Sequence, residues 1–526
     1  MNFYELNEAR RLLGDSRVLL GDKVAGLYTL FSTMQEKMAP MDGLERRRWG
    51  ETLEKGLRLH DLGNRGEGAI LRLYLTSFLL EVTGEERFLW EIFRAAEEPA
   101  RPLRERLFLY WQIVRRGFLD RRYRTLENDL RFWRLHRALV HAHAKLLPEP
   151  PQWIPAAERD SERVVVITNQ YLGLQHGPTM TALDRAHALQ SKLGKKVVLI
   201  NAAEMPRSLP LPFFLPFLAT FKGNLSRIDL TRFQGQAFPF YQCKDEMPNV
   251  EEMMKILAFI KEIRPAFILS IGGNNITADL CSRIAPVATL GCVSGLAVSE
   301  GQFFLPWGDL VKEDEEKATQ LGIAAERIIS CDFTFYIRPQ RKKLSRADLG
   351  IDEKAFVLAI VGGRLDEEVQ PAYAQELDRF LEGNPEAFIA FAGHFERYEK
   401  YRAAYPSFAG QSCFAGYQDD ILAFNEVCDA YLNPPRTGGG TSALEALYMG
   451  NPVFTQPRGD VAYVAGPRYH MDGFAAIETF MARWQADASF RDAERAAARL
   501  RAGELTDTAG ALGGVIAAME RSDYYR

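Results

Sequence analysis

The chain of 526 residues is too long for one ordinary domain, and two to four domains are expected. Its composition, with 47% hydrophobic and 25% charged residues, is that of a globular protein, and its net charge of −4 offers no bulk attraction to nucleic acid or to an anionic membrane. The six scattered cysteines, without C-x-x-C spacing, argue against a disulfide framework or a zinc site and favour a reducing, cytoplasmic location.

Residues 1–150 are predicted to form an all-helical N-terminal domain. The segments VAGLYTLFSTMQEKM, GAILRLYLTSFLLEVTG and RERLFLYWQIVRRGFL carry apolar residues at three- and four-residue spacing, and strand-like alternation is missing. The charged start of the chain lacks the apolar core of a signal peptide, and no run reaches the roughly 18 apolar residues of a membrane span. The proline-rich PEPPQWIPAAERD, 148–160, predicts a domain boundary.

Residues 160–335 are predicted to form a first doubly wound domain. The buried strands RVVVITNQ and KKVVLINA flank the helical TALDRAHALQSKLG, and this β-α-β order indicates a parallel sheet. The strands AFILSIGG and VATLGCVSG and the helices VEEMMKILAFIKEI and TADLCSRIA continue the series. The apolar LPLPFFLPFLATF, 209–221, is broken by three prolines and predicts a loop or short helix that serves as a docking surface.

A second α/β series is predicted over residues 350–505, after a linker at 336–350. Its strands are AFVLAIVGGRL, EAFIAFAGH, SCFAGYQ, CDAYLNPP and NPVFTQP. AERAAARLRAGE ends this series, and GALGGVIAAMERSDYY predicts a C-terminal helix within residues 506–526. Ligands of such sheets bind beyond the carboxyl ends of the strands, so the cleft between the two domains is the expected site.

The stretch NPPRTGGGTSALEALYMGNPVFT, 433–455, places three glycines directly before a helix. Gly439 and Gly440 leave the backbone bare, and the free N–H groups and positive dipole end of the helix suit an anion such as phosphate. Thr441 and Ser442 would add hydroxyl groups to that site, although simple N-capping explains them as well. Ser442-x-x-Glu445 is also the pattern of a capping box, in which the acid accepts from backbone N–H groups.

Two Rossmann-like domains, with FAGYQDDILAFNEVCDAYLNPPRTGGGTSALEALYMGNPVFT in the second, resemble the GT-B glycosyltransferases. The resemblance covers roughly residues 160–520 and implies an α/β fold class: a GT-B fold of two Rossmann-like domains, preceded here by the all-α domain. It implies a sugar nucleotide on the C-terminal domain and an acceptor on the N-terminal side. Glu445 matches the acid that binds the ribose hydroxyls, Thr441 and Ser442 would meet the diphosphate, and Tyr417 lies where the nucleobase is held.

The chain departs from the pattern of many retaining GT-B enzymes at two positions. Those enzymes carry a second Glu eight residues before the ribose acid, where this chain has Thr437, and a Lys five residues after an Arg, where it has Val369. The Arg is present as Arg364, after Gly363, and would clamp the diphosphate. The alternative is a surface Arg364 paired with Asp366 or Glu367. Because of the departures, retaining or inverting stereochemistry stays open.

The loop in NQYLGLQHGPTMTALDRAHAL resembles the His-Pro-Thr loop of the O-GlcNAc transferases and of the cytosolic N-glucosyltransferases that modify bacterial adhesins. His176 would act as a base or orient substrate beside Gly177, or would be a loop histidine bonded to backbone. Thr179 or Thr181 would cap the following helix. The lysine that these relatives use for the diphosphate is not evident in this sequence. In the second domain, His394 follows a strand in FAGHF and would meet the donor.

SIGGNNITADL, 270–280, places two asparagines between a strand end and a helix. Asn274 and Asn275 would hydrogen-bond sugar hydroxyls on the acceptor side, and a left-handed turn with an Asn cap explains them equally well. The sequence has no Asp-x-Asp strand-end motif, so neither a metal nor another cofactor is predicted.

The sequence therefore predicts transfer of a sugar from a nucleotide-diphosphate donor, expected to be a UDP-sugar, to an acceptor hydroxyl or amide. A polypeptide acceptor is favoured by analogy, because the relatives also carry a helical domain, and this domain is a candidate surface for a protein partner. Two other functions stay open. One is a sugar-nucleotide 2-epimerase, and the other is a catalytically degenerate GT-B protein that serves as the chaperone of a partner glycosyltransferase.

Overall fold

The computed structural model describes residues 4–38, 41–63, 66–174, 176–436 and 438–526, and begins with helices. These are α1 Tyr4–Gly14, α2 Leu20–Met38, α3 Gly43–Leu57, α4 Gly66–Thr83, α5 Glu86–Glu97, α6 Leu103–Leu119 and α7 Leu126–Ala144. Their apolar stripes face one another, as in the stacked rings of Phe31 and Phe78, whose centroids lie 4.0 Å apart. None of the helices that the described residues form is long and apolar enough to cross a bilayer.

A seven-stranded sheet follows, in the strand order β3-β4-β2-β1-β5-β6-β7. The strands are β1 Asp160–Thr168, β2 Lys196–Asn201, β3 Leu230–Phe233, β4 Gln236–Gln242, β5 Pro265–Ile271, β6 Val287–Leu290 and β7 Phe303–Leu305. The helices are α8 Gly177–Ser191, α9 Val250–Ile263, α10 Ile276–Cys281 and α11 Lys312–Gln320. Apart from the antiparallel pair β3–β4, the strands run parallel.

The second sheet has five parallel strands in the order β10-β9-β8-β11-β12. They are β8 Phe356–Gly362, β9 Ala387–Gly393, β10 Ser412–Phe414, β11 Ala430–Leu432 and β12 Val453–Phe454. The helices are α12 Leu365–Glu368, α13 Pro371–Gly383, α14 Tyr398–Ala404, α15 Pro406–Gly410, α16 Ile421–Glu426, α17 Gly440–Met449, α18 Gly459–Ala465, α19 Phe474–Ala486, α20 Ala488–Glu504 and α21 Thr508–Arg521. Every residue of β8 is buried, because helices cover both faces of the sheet.

The end of the chain returns to the first sheet. Helix α21 packs against α8, and the Thr508 hydroxyl donates to Asp184 over 2.6 Å. Trp153 Nε1, in the proline-rich segment, donates to the carbonyl of Arg526 over 3.0 Å. The two sheets are therefore joined by the final helix as well as by the linker.

The apolar segment 209–221 joins the first sheet domain to the helical domain. It contains no helix, so the short-helix alternative was wrong, and Phe214 is buried in it. The Phe214 ring packs on Phe78 with centroids 5.2 Å apart. The backbone N–H of Phe214 donates to Ser77 Oγ over 2.8 Å. A buried pair, His136 of α7 and Asp279 of α10, 2.6 Å apart, fixes the same two domains. These contacts thus hold the helical domain beside the first sheet.

Candidate functional site

A cleft of about 1910 Å³ opens between the carboxyl ends of the two sheets and reaches the helical domain. Each of the three domains contributes to its walls. The first sheet domain provides His176, Gly177 and Asn274; the second provides Arg364, Gly439, Gly440, Thr441 and Asp460; the helical domain provides Arg115, Phe118 and Arg121. The cleft therefore gathers about half of the predicted site residues, together with several that the sequence did not single out. The predicted residues that do not line it are Gly363, His394, Tyr417, Ser442, Glu445 and Asn275.

The N-terminus of α17 is open toward this cleft. The helix starts at Gly440, its N-cap Gly439 has a left-handed φ of 109°, and no side chain caps it. The capping interpretations of Thr441 and Ser442 were therefore wrong, and so was the capping box with Glu445, because Ser442 lies inside the helix. The first-turn N–H groups remain available to an anion. Thr437, the position of the departure noted above, lies outside the described residues.

A buried guanidinium explains why the glycine stretch is bare. Arg436 donates to Glu368 over 2.8 Å and to Asn433 over 2.9 Å, and it also bonds the Tyr431 hydroxyl. A Cβ on Gly439 would lie 2.6 Å from the Arg436 guanidinium, closer than real Cβ contacts come. Glycine at this position thus lets the loop lie directly over the buried ion pair.

We expect Gly439→Ala to disrupt this loop. The alanine would meet the Arg436 guanidinium and would also have to adopt a left-handed φ, at a cost of about 1–2 kcal/mol for the backbone alone. Thermal unfolding should show the loss, and nucleotide affinity should fall with it. Gly383→Ala at the end of α13 is the matched control, since a Cβ there would meet nothing within 4 Å. Equal stability of the two variants would contradict the packing described above.

Glu445 lies in the second turn of α17 and is 9% exposed. No described residue donates a hydrogen bond to its carboxylate. Burial raises its pKa to about 7; the charge of Arg338 opposes the shift and that of Asp420 adds to it. A buried carboxylate without a donor is costly for the fold, and such groups mark functional sites.

Arg364 lies at the edge of the cleft, between the second sheet and the helical domain. Its Nη2 is 3.4 Å from Glu368 Oε1 and its Nε is 3.9 Å from Glu367 Oε2. The guanidinium carbon lies 5.0 Å from the centre of the Phe118 ring, within cation–π range. Pairing with Asp366 is not observed, whereas the long contact with Glu367 is. Since 39% of the side chain is exposed, it can still bind an anion.

The position five residues after Arg364 is not a ligand position. Val369 is wholly buried, packed in the core of the second domain. A lysine there would be surrounded by apolar side chains, so this position cannot supply the positive charge of the retaining pattern. Arg364 is left without the lysine partner of that pattern.

His394 and Tyr417 come together at the carboxyl ends of β9 and β10. Their ring centroids lie 5.7 Å apart with the rings 24° from parallel, and Tyr417 is 54% exposed. The backbone N–H of His394 donates to the Gly362 carbonyl over 3.1 Å, which places the two rings beside the exposed Gly363. Neither ring lines the cleft itself, so the two form a separate exposed aromatic surface next to it.

His176 lies on the opposite wall, directly before α8. It is the N-cap residue by backbone geometry, so the expectation that Thr179 or Thr181 caps this helix was wrong. Its Nδ1 is 2.9 Å from Thr179 Oγ1, and this hydroxyl oxygen accepts from the Leu172 N–H over 2.9 Å. The alternative of a bond to backbone is not observed, and Nε2 is the ring nitrogen left for the cleft. Burial, with the charge of Lys222, lowers its pKa to about 4.

We expect His176 to stay neutral across pH 5–8. Because its folded-state pKa lies below the ordinary value near 6.5, the imidazolium forms only as the pH falls toward 4. NMR of the histidine ring signals, with His176→Gln to assign the resonance, measures this directly. A midpoint near 6.5 for His176 would contradict the environment described here.

The two asparagines of SIGGNNITADL have different positions. Asn275 is buried and caps α10, with its Oδ1 accepting from Ala278 N–H over 2.8 Å, as in the Asn-cap alternative, and it does not line the cleft. Asn274 has a left-handed φ of 63° and lines the cleft, where its Oδ1 accepts from the Tyr110 hydroxyl of α6. Asn169, which the sequence did not single out, lies beside it, and its buried Oδ1 has no hydrogen-bond partner among the described residues.

No family model and no curated protein matches the sequence. Similar solved structures include a point mutant of the Thermobaculum terrenum O-GlcNAc transferase, 14% identical, with a TM-score of 0.55 over 98% of this chain and 97% of that one. Anabaena HepE in complex with UDP is 12% identical, with a TM-score of 0.48 over 68% of this chain and 100% of that one. The chain has the GT-B fold. This confirms the predicted fold class.

Within this GT-B fold, sequence reasoning missed three features of the cleft. The buried pair of Arg436 and Glu368 joins positions 68 residues apart, and Asp460 meets Ser294 across 166 residues. The wall formed by Phe118 and its neighbours comes from a different domain. The only local signal was an arginine two positions before the first glycine, in NPPRTGGG.

Proposed function

We propose that this chain is a glycosyltransferase that moves a sugar from a nucleoside-diphosphate donor to an acceptor bound in the cleft. The observation that carries the proposal is the pairing of an open helix N-terminus at Gly439–Thr441 with the buried, unpartnered carboxylate of Glu445 in the same helix. The first suits a diphosphate, and the second suits a pair of hydroxyl groups such as those of a ribose. The likeness to an O-GlcNAc transferase fold supports this proposal.

Catalysis would consist of orienting the two substrates and stabilising the departing diphosphate. The N–H groups of α17 and the hydroxyls of Thr441 and Ser442 would bind the phosphates, with Arg364 as the added positive charge. These donors are fixed before the reaction, so they favour the state in which negative charge accumulates on the leaving group. No group other than the sugar nucleotide is required in this scheme.

The remaining predicted residues divide between the two substrates. Tyr417, stacked on His394, is the proposed contact for the nucleobase. Uracil, supplied as UDP, is the first base to test. His176 would face the acceptor with Nε2, beside Gly177 and Asn274. As a neutral imidazole with its proton on Nδ1, it can accept a hydrogen bond from an acceptor hydroxyl or amide. The lowered pKa makes it a weak base, so it would orient the acceptor rather than deprotonate it.

We propose a polypeptide acceptor in the cytoplasm. The helical domain supports this choice because Arg115, Phe118 and Arg121 form the third wall of the cleft, where they would contact an acceptor longer than a single sugar. All six cysteines are free, which agrees with a reducing compartment.

Incubation with UDP-glucose and UDP-GlcNAc tests the proposed reaction. A transferase should release UDP, with water as a slow acceptor, and should label a protein acceptor when a cell extract is supplied. Recovery of a UDP-sugar epimerised at C2 would instead support the 2-epimerase. UDP binding without any turnover, together with co-purification of a second chain, would support the chaperone alternative.

A further inference from the structure

Asp460 is a buried carboxylate at the meeting point of the three domains. It lies in the first turn of α18, is 3% exposed and lines the cleft. Its Oδ1 accepts from the Ser294 N–H of the first sheet domain over 2.7 Å. A Cβ on Gly438 would lie 3.7 Å from Asp460 Oδ2, and one on Gly440 would lie 3.4 Å from Asp460 Cβ. The carboxylate thus directly adjoins the glycine stretch.

Charged groups from several elements face this carboxylate. Arg121 approaches from the turn after α6, and Arg436 from beneath the glycine stretch. Arg458, two residues before Asp460, interacts electrostatically with Arg121, and the Cys292 thiol in the loop after β6 interacts electrostatically with Asp460. Burial raises the pKa of Asp460 to about 7, against the lowering by the Ser294 hydrogen bonds and by Arg121 and Arg436.

We propose that Asp460 takes up a proton when a nucleoside diphosphate binds at the glycine stretch, and then donates its O–H as a hydrogen bond to a phosphate oxygen. This inference rests on the proposed function, since it requires the donor to bind there. Asp460 would be a donor-binding residue of a kind that no spacing in the sequence indicates.

The physical reason is the placement of two negative groups side by side. A diphosphate held by the N–H groups of α17 would lie next to Asp460, and a like charge at that distance favours the protonated carboxyl. A protonated Asp460 adds a hydrogen-bond donor to the diphosphate site, whereas the ionised form repels the ligand. Donor binding and proton binding are therefore coupled, and donor affinity should fall as the pH rises.

The test is the pH dependence of UDP affinity by calorimetry, in EDTA, for the wild type and for Asp460→Asn. The amide still accepts from Ser294 N–H but cannot titrate. Relative to this variant, the wild type should lose about tenfold in affinity between pH 6 and pH 8, because its apo-state carboxyl ionises near pH 7. The comparison cancels the titration of UDP itself and of Glu445, which both proteins share.

Further measurements keep the outcome decisive. Titrations at pH 7 in buffers of different ionisation enthalpy should show greater proton uptake by the wild type than by Asp460→Asn. The pH dependence of UDP affinity in Asp460→Ser should match that in Asp460→Asn. In Asp472→Asn, which changes an exposed residue of the same domain, it should match that of the wild type.

Parallel pH profiles of UDP affinity for the wild type and Asp460→Asn would overturn the inference while leaving the donor site intact. Affinity at pH 8 that Mg²⁺ restores only when Asp460 is present would make it a metal ligand and would also overturn it. If UDP fails to bind the wild type, the proposed function itself fails.

Discussion

Glu445→Gln should weaken UDP binding at least tenfold while it stabilises the protein at pH 8. The carboxylate has no donor among the described residues of the unliganded chain, so a ribose would supply the hydrogen bonds that it lacks. Hydrogen bonds to a charged group contribute about 1.5–3 kcal/mol, and a tenfold loss of affinity corresponds to about 1.4 kcal/mol. Calorimetric titration with UDP measures this part of the result.

The gain in stability follows from the direction of the pKa shift. Burial raises the folded-state pKa of Glu445 from 4.5 to about 7, so the folded state binds the proton more tightly than the unfolded state does. The contribution of the protonated Glu445 carboxyl to stability is present below about pH 4.5 and is lost as the pH rises toward 7. Glutamine cannot ionise and so avoids the cost of a buried charge. The free energy of unfolding at pH 8 should therefore rise by on the order of 2 kcal/mol.

Chemical denaturation at pH 5 and pH 8 tests the second part, with Glu382→Gln as the control. Glu382 is an exposed residue of α13 in the same domain, and its substitution should change neither quantity. A Glu445→Gln protein that binds UDP normally would contradict the ribose assignment. One that is less stable than the wild type at pH 8 would show that the carboxylate has a structural partner.

Arg436→Met should destabilise the second sheet domain by about 3–5 kcal/mol. The substitution removes the 2.8 Å partner of Glu368, leaves this buried carboxylate with only the longer 3.4 Å contact to Arg364, and also leaves Asn433 Oδ1 unbonded. The glycine stretch rests on the guanidinium, so nucleotide binding should be lost as well. Chemical denaturation followed by the fluorescence of Trp484 in the same domain is a suitable measurement.

A double-mutant cycle separates the ion pair from other losses. Glu368→Met combined with Arg436→Met removes both charges, and two apolar side chains of similar volume should restore part of the stability. The double variant should therefore lose less free energy of unfolding than the sum of the losses of the two single variants. Additive losses would mean that the pair contributes no interaction of its own, and that the loop is held by something else.

Local sequence patterns were sufficient for most elements of the fold. The strand β8 was visible in AFVLAIVGG because a strand buried on both faces is an unbroken apolar run. The hairpin β3–β4 was missed because it lies at the sheet edge and contains Pro239 within β4. Its turn at Gln234 and Gly235, both with positive φ, was the signal that was overlooked.

The site was harder to predict because local patterns carry more than one meaning. Ser442-x-x-Glu445 is a capping box by spacing, and only the actual start of α17 at Gly440 excludes that interpretation. Asn275 resembles a sugar ligand until its bond to the Ala278 N–H is seen. The contact of Asp460 with Ser294 depends on how two domains meet, and no periodicity along one chain reports such a contact.

The most direct test of the donor site is a calorimetric titration of the wild-type protein with UDP, GDP, ADP and CMP. The account predicts that one nucleoside diphosphate, expected to be UDP, binds and that CMP, with a single phosphate, binds much more weakly. The nucleotide that binds then determines which sugar nucleotides should be assayed for turnover. If none of the four binds, the open N-terminus of α17 and the buried Glu445 do not form a nucleotide site, and the proposed function is contradicted.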